Sequence, residues 1–169
     1  MNIRQLQLDE LEKYLELRLR ALKDAPYSFG RSYEDEAQRS EEERILELRS
    51  RLGENNVIFI AEEDGEFLGS TGILRMTGRK IEHTSIIWGV YVVPEERGRH
   101  IGRLLMERAV EQARQWPGVT QVKLTVVTSN QAALKLYEKL GFQKWGVEPQ
   151  ALIVDDVPLD EAHFVLFLE

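Results

Sequence analysis

A cluster of cationic side chains surrounds two glycines in the segment PEERGRHIGRLL, residues 94–105. The apolar run IIWGVYVV precedes the segment and a stretch with helical apolar spacing follows it, which predicts a loop between a strand and a helix N-terminus. Free amides and the positive dipole end of such a terminus attract anions. In a chain of net charge -7 the cluster indicates a phosphate site, and a solvated basic turn is the alternative. The residues of this predicted phosphate site are Arg97, Gly98, Arg99, His100, Ile101, Gly102 and Arg103.

The spacing of this loop excludes two common phosphate motifs. A mononucleotide P-loop has the pattern G-x-x-x-x-G-K-[ST], and no lysine followed by serine or threonine occurs here. A dinucleotide fingerprint, G-x-G-x-x-G near the first strand of its unit with an acidic residue about 20 positions later, is also missing. The loop therefore points to a phosphate ligand of another kind.

A second patterned segment, TSNQAALKLYEKLGF, follows about thirty residues later, at positions 128–142. Asn130 can cap a helix on which Ala133 and Tyr137 share one face, and Gly141 can end that helix before a strand that begins at Phe142. A tyrosine on such a helix is commonly a core residue with a satisfied hydroxyl. Its proximity in sequence to the basic loop favours a functional interpretation instead.

Together the two segments resemble the cofactor motifs of the GNAT N-acetyltransferases. The family's motif A, Q/R-x-x-G-x-G/A, falls on Arg97, His100 and Gly102, with His100 in place of the usual glycine. The second family segment, N-x-x-A-x-x-x-Y-x-x-x-G-F, is matched at every fixed position. Histidine is among the few residues other than glycine that are enriched at positive φ, so we expect His100 to preserve the loop conformation.

The resemblance implies an α/β fold of GNAT type, in which a central mixed antiparallel and parallel sheet is flanked by helices. It also implies that acetyl-CoA is the co-substrate, with its pyrophosphate held by residues 97–103 and by the segment that begins at Asn130. In such a fold two central strands splay apart, and pantetheine lies in the gap beside the strand residues Val90, Tyr91 and Val92. A buried strand is the other interpretation of VYVV.

Acetyl transfer from a thioester to an amine requires a neutral nucleophile, stabilisation of an oxyanion and a proton for the leaving thiolate. Tyr137 is the predicted acid. The chain has no cysteine, which favours direct attack by the amine in a ternary complex. The resemblance implies an N-acetyltransferase of unidentified primary amines, and the alternative is a non-catalytic acyl-CoA-binding regulatory module.

The general base is not identified by the sequence. Ile86 and Thr125 occupy the positions at which some members of the family carry a glutamate. The remaining candidates, each also interpretable as surface charge, are Glu34, Glu36, Glu82 and His83. Acidic residues at 34–36 and 41–43 can attract a cationic acceptor, or they are simply the charged surface of a helix.

The elements that position these residues follow from apolar spacing and turn signals. Two helices are predicted before the sheet, opened by capping boxes at Asp9 with Glu12 and at Ser40 with Glu43. Asp64-Gly65 lies in the turn of a predicted hairpin. The alternation of strand and helix in the second half predicts a right-handed parallel crossover. The predicted ranges are strands at 57–61, 67–76, 84–93, 121–127, 144–154 and 162–168, a further short strand at 2–5, and helices at 102–115 and 131–140.

The composition is that of one globular domain spanning 1–169, with 43% hydrophobic and 30% charged residues. No apolar stretch approaches the roughly 18 residues of a membrane span, so we expect a cytoplasmic protein that does not bind membranes. The acidic net charge argues against nucleic-acid binding. No metal site is expected, and the resemblance suggests a homodimer formed through the C-terminal strands.

Overall fold

Seven strands form one mixed sheet with five α-helices packed around it, and the computed structural model describes residues 1–169. The spatial order of the strands is β1-β2-β3-β4-β5-β7-β6. None of the helices combines the length and the apolar character needed to cross a membrane. The strands are β1 Asn2–Gln5, β2 Asn56–Glu63, β3 Glu66–Arg75, β4 Thr84–Val92, β5 Gln121–Val127, β6 Gln143–Val154 and β7 Val157–Phe167. The helices are α1 Leu11–Asp24, α2 Tyr33–Gln38, α3 Glu41–Arg51, α4 Ile101–Gln115 and α5 Gln131–Lys139.

The predicted mixed sheet is confirmed, because every neighbouring pair of strands is antiparallel except β4 with β5. Helix α4 forms the crossover between those two parallel strands. The β2–β3 hairpin turns at Asp64 and Gly65, whose φ angles of 51° and 81° match the paired positive values of a type I′ turn. The second half of the chain thus has the predicted alternation.

The N-terminal region differs from the prediction. Three α-helices, not two, precede β2, because Ser32 accepts a hydrogen bond from the Asp35 amide and begins the short helix α2. The predicted capping box at Asp9 and Glu12 is wrong. A 3-10 turn occupies that position, and the carboxylate of Glu10 accepts from the Gln7 amide instead.

Two apolar clusters cover the two faces of the sheet. On one face α4 and α5 pack against residues such as Phe59 and Phe164, both fully buried. On the other face α1 packs with Phe29 and Tyr91. The sheet therefore separates the α4–α5 side from the α1 side, and only a gap between strands can connect them.

Candidate active site

The parallel strands β4 and β5 are paired at one end and separated at the other. Their register covers only three residue pairs, from Thr84 opposite Gln121 to Ile86 opposite Lys123. Beyond Ile86, β4 continues to Val92 with no partner on the β5 side. The unpaired stretch leaves a strand edge with free backbone groups, which an amide-containing ligand can pair with.

The separation opens a cleft of about 680 Å³, within the size range of small-ligand sites. Its walls come from β4, β5, the loop before α4, helix α5 and the end of α1. Because residues from both faces of the sheet line it, the cleft passes through the sheet. Among the predicted site residues, those that line it are Val90, Tyr91, Val92, Arg97, Gly98, His100, Ile101, Gly102, Arg103, Asn130 and Tyr137.

The loop before α4 presents a row of free backbone donors. The amides of residues 98–103 donate to no acceptor within the protein. The first intrahelical bond of this region runs from the Leu104 amide to the His100 carbonyl, at 3.1 Å. Consecutive free amides at the positive end of a helix dipole form a concave anion site, which fits the predicted pyrophosphate.

The backbone conformation of the loop depends on two residues with positive φ. Gly98 has a φ of 84°, and a side chain added there would meet no atom within 4 Å. His100 has φ 62° and ψ 12°, so it adopts the left-handed conformation, in agreement with the expected positive φ. Open space at Gly98 and the exposed His100 ring leave the amides accessible.

The three arginines of the loop have different partners. Arg97 lines the cleft and donates from Nε to the Val92 carbonyl at 3.3 Å. Arg103 also lines it and pairs with Glu107 at 2.7 Å. Arg99 does not line the cleft, because its guanidinium binds Glu96 and, at 2.8 Å, Glu63 at the end of β2.

Strand β4 contains a bulge at the cleft. Ser70 pairs with Tyr91 and Gly72 pairs with Trp88, so two β4 residues oppose the single residue between them on β3. One of the two is Gly89, with a φ of 66°. The bulge interrupts the regular β3–β4 pairing at Gly89 and Val90, both of which line the cleft.

The Tyr91 side chain points to the α1 face, away from α4 and α5. Its hydroxyl donates to Asp24 Oδ2 at 2.6 Å. Burial and this carboxylate raise the pKa of Tyr91 above its usual value. The side chain of Tyr91 thus fixes the end of α1 beside the cleft, while its backbone lies at the cleft edge.

Helix α5 places Tyr137 in the cleft wall on the α4 side. Asn130 caps the helix by accepting from the Ala133 amide at 3.1 Å, and Gly141 follows it with a φ of 89°. The Tyr137 ring packs against Phe142 and Phe164, with ring centroids about 6 Å apart. Burial raises the pKa of Tyr137 to about 12, so the phenol stays protonated over the physiological range.

None of the four candidate bases lies in the cleft. The cleft-lining residues do not include Glu34, Glu36, Glu82 or His83. The carboxylates that do line it belong to Asp24 and Glu96. No group of three or more His, Asp or Glu side chains lies together as metal ligands would.

The α1 side of the cleft contains residues that the sequence did not single out. Asp24, Ala25, Tyr27 and Ser28 line it there. They follow a helix with ordinary apolar spacing and belong to no recognisable motif, so the only available signal was the Pro26 helix stop. This side lies opposite Tyr137, across the sheet.

The arrangement of a splayed parallel strand pair, a free amide row and a capped helix can be compared with known proteins. Residues 15–142 match the profile of the acetyltransferase (GNAT) family. The chain belongs to the GNAT family. Its fold and the placement of the motif A loop agree with this membership.

Similar proteins include enzymes and solved structures of the same family. A mycothiol acetyltransferase of Thermobispora bispora is 33% identical over 140 residues, which cover 81% of this chain and 44% of that protein. The chain spans less than half the length of the mycothiol acetyltransferases that it matches.

The structural comparisons cover nearly the whole chain. A GNAT acetyltransferase from Streptococcus pneumoniae superimposes with a TM-score of 0.87 at 21% identity, over 99% of both chains. The putative acetyltransferase yncA from Salmonella typhimurium, solved with its cofactor acetyl-CoA, has a TM-score of 0.85 at 21% identity, over 100% of this chain and 94% of that one. At this identity the likeness establishes the GNAT fold.

Proposed function

We propose that this GNAT protein transfers the acetyl group of acetyl-CoA to a primary amine by direct attack in a ternary complex. The observation that carries the proposal is the opening between β4 and β5 directly beside the free amides of residues 98–103. A diphosphate bound at those amides would extend its tether along the unpaired edge of β4. The acetyl-CoA bound to the Salmonella relative supports the same co-substrate here.

In this proposal, different parts of the chain bind the pyrophosphate, the pantetheine and the thioester of acetyl-CoA. The loop amides and the α4 dipole hold the pyrophosphate, and the cations of Arg97 and Arg103 add attraction. The β4 edge at residues 90–92 pairs with the pantetheine amides. The bulge at Gly89 turns backbone groups towards the thioester carbonyl, where an N–H can stabilise the oxyanion.

The reaction joins the amine nitrogen to the thioester carbonyl carbon and breaks the carbon–sulfur bond, and the sulfur leaves as a thiolate. Tyr137 donates a hydrogen bond to that sulfur. A phenol with a pKa of about 12 lies about 3.5 pKa units above a thiol near 8.5, so its contribution is mainly stabilisation of the thiolate by hydrogen bonding. The proton that the thiolate finally gains can come from the attacking nitrogen, which is positively charged in the tetrahedral intermediate and becomes the neutral amide when it loses that proton.

The amine attacks in its neutral form. A lysine-like amine with a pKa near 10.4 is neutral in roughly one molecule in a few thousand at pH 7. The proposal needs no protein base, because neutral amine from solution can enter the cleft. Under this mechanism, as long as the pH is below the pKa of the acceptor amine, each increase of one pH unit raises kcat/KM about tenfold.

The experiment that tests the function is an acetyl-CoA assay against a panel of amines, with thiol release as the signal. Turnover with at least one amine, dependent on pH as stated, supports the proposal. Binding of CoA without turnover of any amine would support the non-catalytic regulatory module instead. Failure to bind CoA at all would contradict both.

We further propose a homodimer as the solution state. Strand β6 pairs only with β7 and leaves its other edge open, and the β6–β7 hairpin exposes large apolar side chains. Two copies related by a two-fold axis can pair identical edges in antiparallel fashion, which makes the surface self-complementary. The exposed side chains are Trp145, Val147, Ile153, Val157 and Phe167.

A further inference from the structure

Arg18 on α1 is a partly buried cation without a partner. Its guanidinium takes part in no ion pair and no hydrogen bond within the protein, and the charges of Tyr14, Glu36 and Arg31 act on it only through space. The group stacks on the Phe29 ring, with the guanidinium carbon 4.5 Å from the ring centroid. Burial lowers the pKa of Arg18 from its usual value, the direction expected for a charge that the fold does not compensate.

The nearby carboxylates are already occupied. Glu36, which acts on Arg18 through space, is bound by Arg31 and, at 3.2 Å, by Arg39. The same two arginines also bind Glu47, at 2.6 Å each. Glu36 and Glu47 are therefore engaged by Arg31 and Arg39, and neither carboxylate forms an ion pair with Arg18.

The position of Arg18 relates it to the cleft. A Cβ built on Gly89 would meet only one atom within 4 Å, the Arg18 Nη1 at 3.9 Å. Gly89 lines the cleft at the β4 bulge, where the thioester carbonyl is expected. The guanidinium therefore lies behind Gly89 on the α1 side of the sheet, at the margin of the cleft and not among the residues that line it, and across the sheet from Tyr137.

A planar guanidinium held against an aromatic ring is suited to a carboxylate, which it binds through two parallel hydrogen bonds. We propose that the acetyl acceptor is a small amine that also carries a carboxylate, and that Arg18 binds this carboxylate on the α1 side of the cleft. The inference rests on the proposed acetyl transfer and specifies its acceptor class. Amino acids are the simplest compounds of this kind.

The test compares acceptors that differ only in the carboxylate. Acetyl transfer is measured for the twenty common L-amino acids and for their C-terminal amides, which keep the amine and the side chain but lose the negative charge. We expect kcat/KM for the best amino acid to exceed that for its amide at least tenfold. This ratio corresponds to the free energy of one hydrogen bond to a charged group. The pH is adjusted so that each pair is compared at an equal concentration of neutral amine.

The variant R18M keeps the length of the stem over Phe29 and removes the charge. We expect it to lower kcat/KM for the best amino acid at least tenfold, mainly through KM, and to leave the amide almost unchanged. R18K should recover part of the loss, since it restores the charge without the planar fork. R49M, which removes an exposed arginine of α3 that has no ion pair, is the matched control.

The outcomes separate the two proposals. Amides acetylated as well as the acids, or an R18M variant that loses both equally, would overturn the acceptor inference and leave acetyl transfer standing. A panel in which no amino acid exceeds its amide overturns the inference even if R18M does not fold. Absence of turnover with every amine and of CoA binding would contradict the proposed function itself.

Discussion

At the scale of single residues, Tyr137 is the side chain whose chemistry is most open to test. Y137F should lower kcat about 100-fold, because the hydrogen bond to the leaving sulfur is lost, and should change the Kd for acetyl-CoA less than about twofold. Since burial raises the pKa of Tyr137 to about 12, the donor is fully present below pH 10 and is lost only as the pH approaches 12. Thiol release and calorimetry measure the two effects.

The matched control for this change is Y33F, since Tyr33 does not line the cleft. Unchanged turnover of Y137F with a good acceptor would remove the role of Tyr137 in the reaction. A large loss of CoA affinity would instead indicate that the hydroxyl supports the shape of the cleft.

His100 allows a second test at this scale, because its left-handed conformation is costly for most residues. H100G should keep or improve CoA affinity, since glycine adopts the same angles without strain. H100V should weaken CoA binding about tenfold or more, because a β-branched residue resists positive φ. G118V creates similar strain at a φ of 79° outside the cleft and is the control. Loss of CoA binding in H100G would show that the loop was aligned wrongly with the family motif.

At the scale of elements, the connection between α3 and the segment around α2 depends on Glu47. Arg31 and Arg39 donate to its carboxylate and lower the pKa of Glu47 from 4.5 to about 2. The stabilisation is therefore present above pH 4.5 and is lost as the pH falls towards 2. E47Q should lower the free energy of unfolding at pH 7 by about 1 kcal/mol and reduce its decrease between pH 4.5 and 2.

Denaturant unfolding across this pH range provides the measurement. E42Q is the comparison variant, because Glu42 lies exposed in the first turn of the same helix and makes no ion pair. If E42Q and E47Q showed the same pH dependence, the ion pairs of Glu47 would have no special part in joining these helices.

At the scale of the whole molecule, the open edge of β6 determines the assembly that we propose. Light scattering should give twice the chain mass of 19.6 kDa. I153K should shift the protein towards the monomer, because a charged side chain on an edge strand opposes pairing. L46K places the same charge on an exposed leucine of α3 and should leave the mass unchanged. A monomeric parent protein at assay concentrations would contradict the proposal.

The sequence by itself determined the order of the elements in the second half and the positive φ in the motif A loop, although β7 begins at residue 157, five residues before the predicted start. Strand β5 has the predicted bounds of 121–127, and His100 adopts the expected positive φ. Both depend on neighbouring residues, on apolar periodicity and on the steric limits of one backbone position, which a sequence displays directly. The N-terminal half was less predictable, because the turn at Gln7–Glu10 and the start of α2 at Ser32 each depend on single side-chain hydrogen bonds to the backbone.

Only the tertiary structure decided which charges belong to the site. It pairs Arg99 with Glu63, brings Asp24 into the cleft wall and leaves Arg18 unpaired beside Gly89. The residues that come together in these contacts are far apart along the chain. Because a helix surface tolerates charge at many positions, the sequence pattern does not show which charges are paired. Whether a charge is compensated depends on packing between elements that are distant in sequence. The charges on the acceptor side could therefore be assigned only from the tertiary structure.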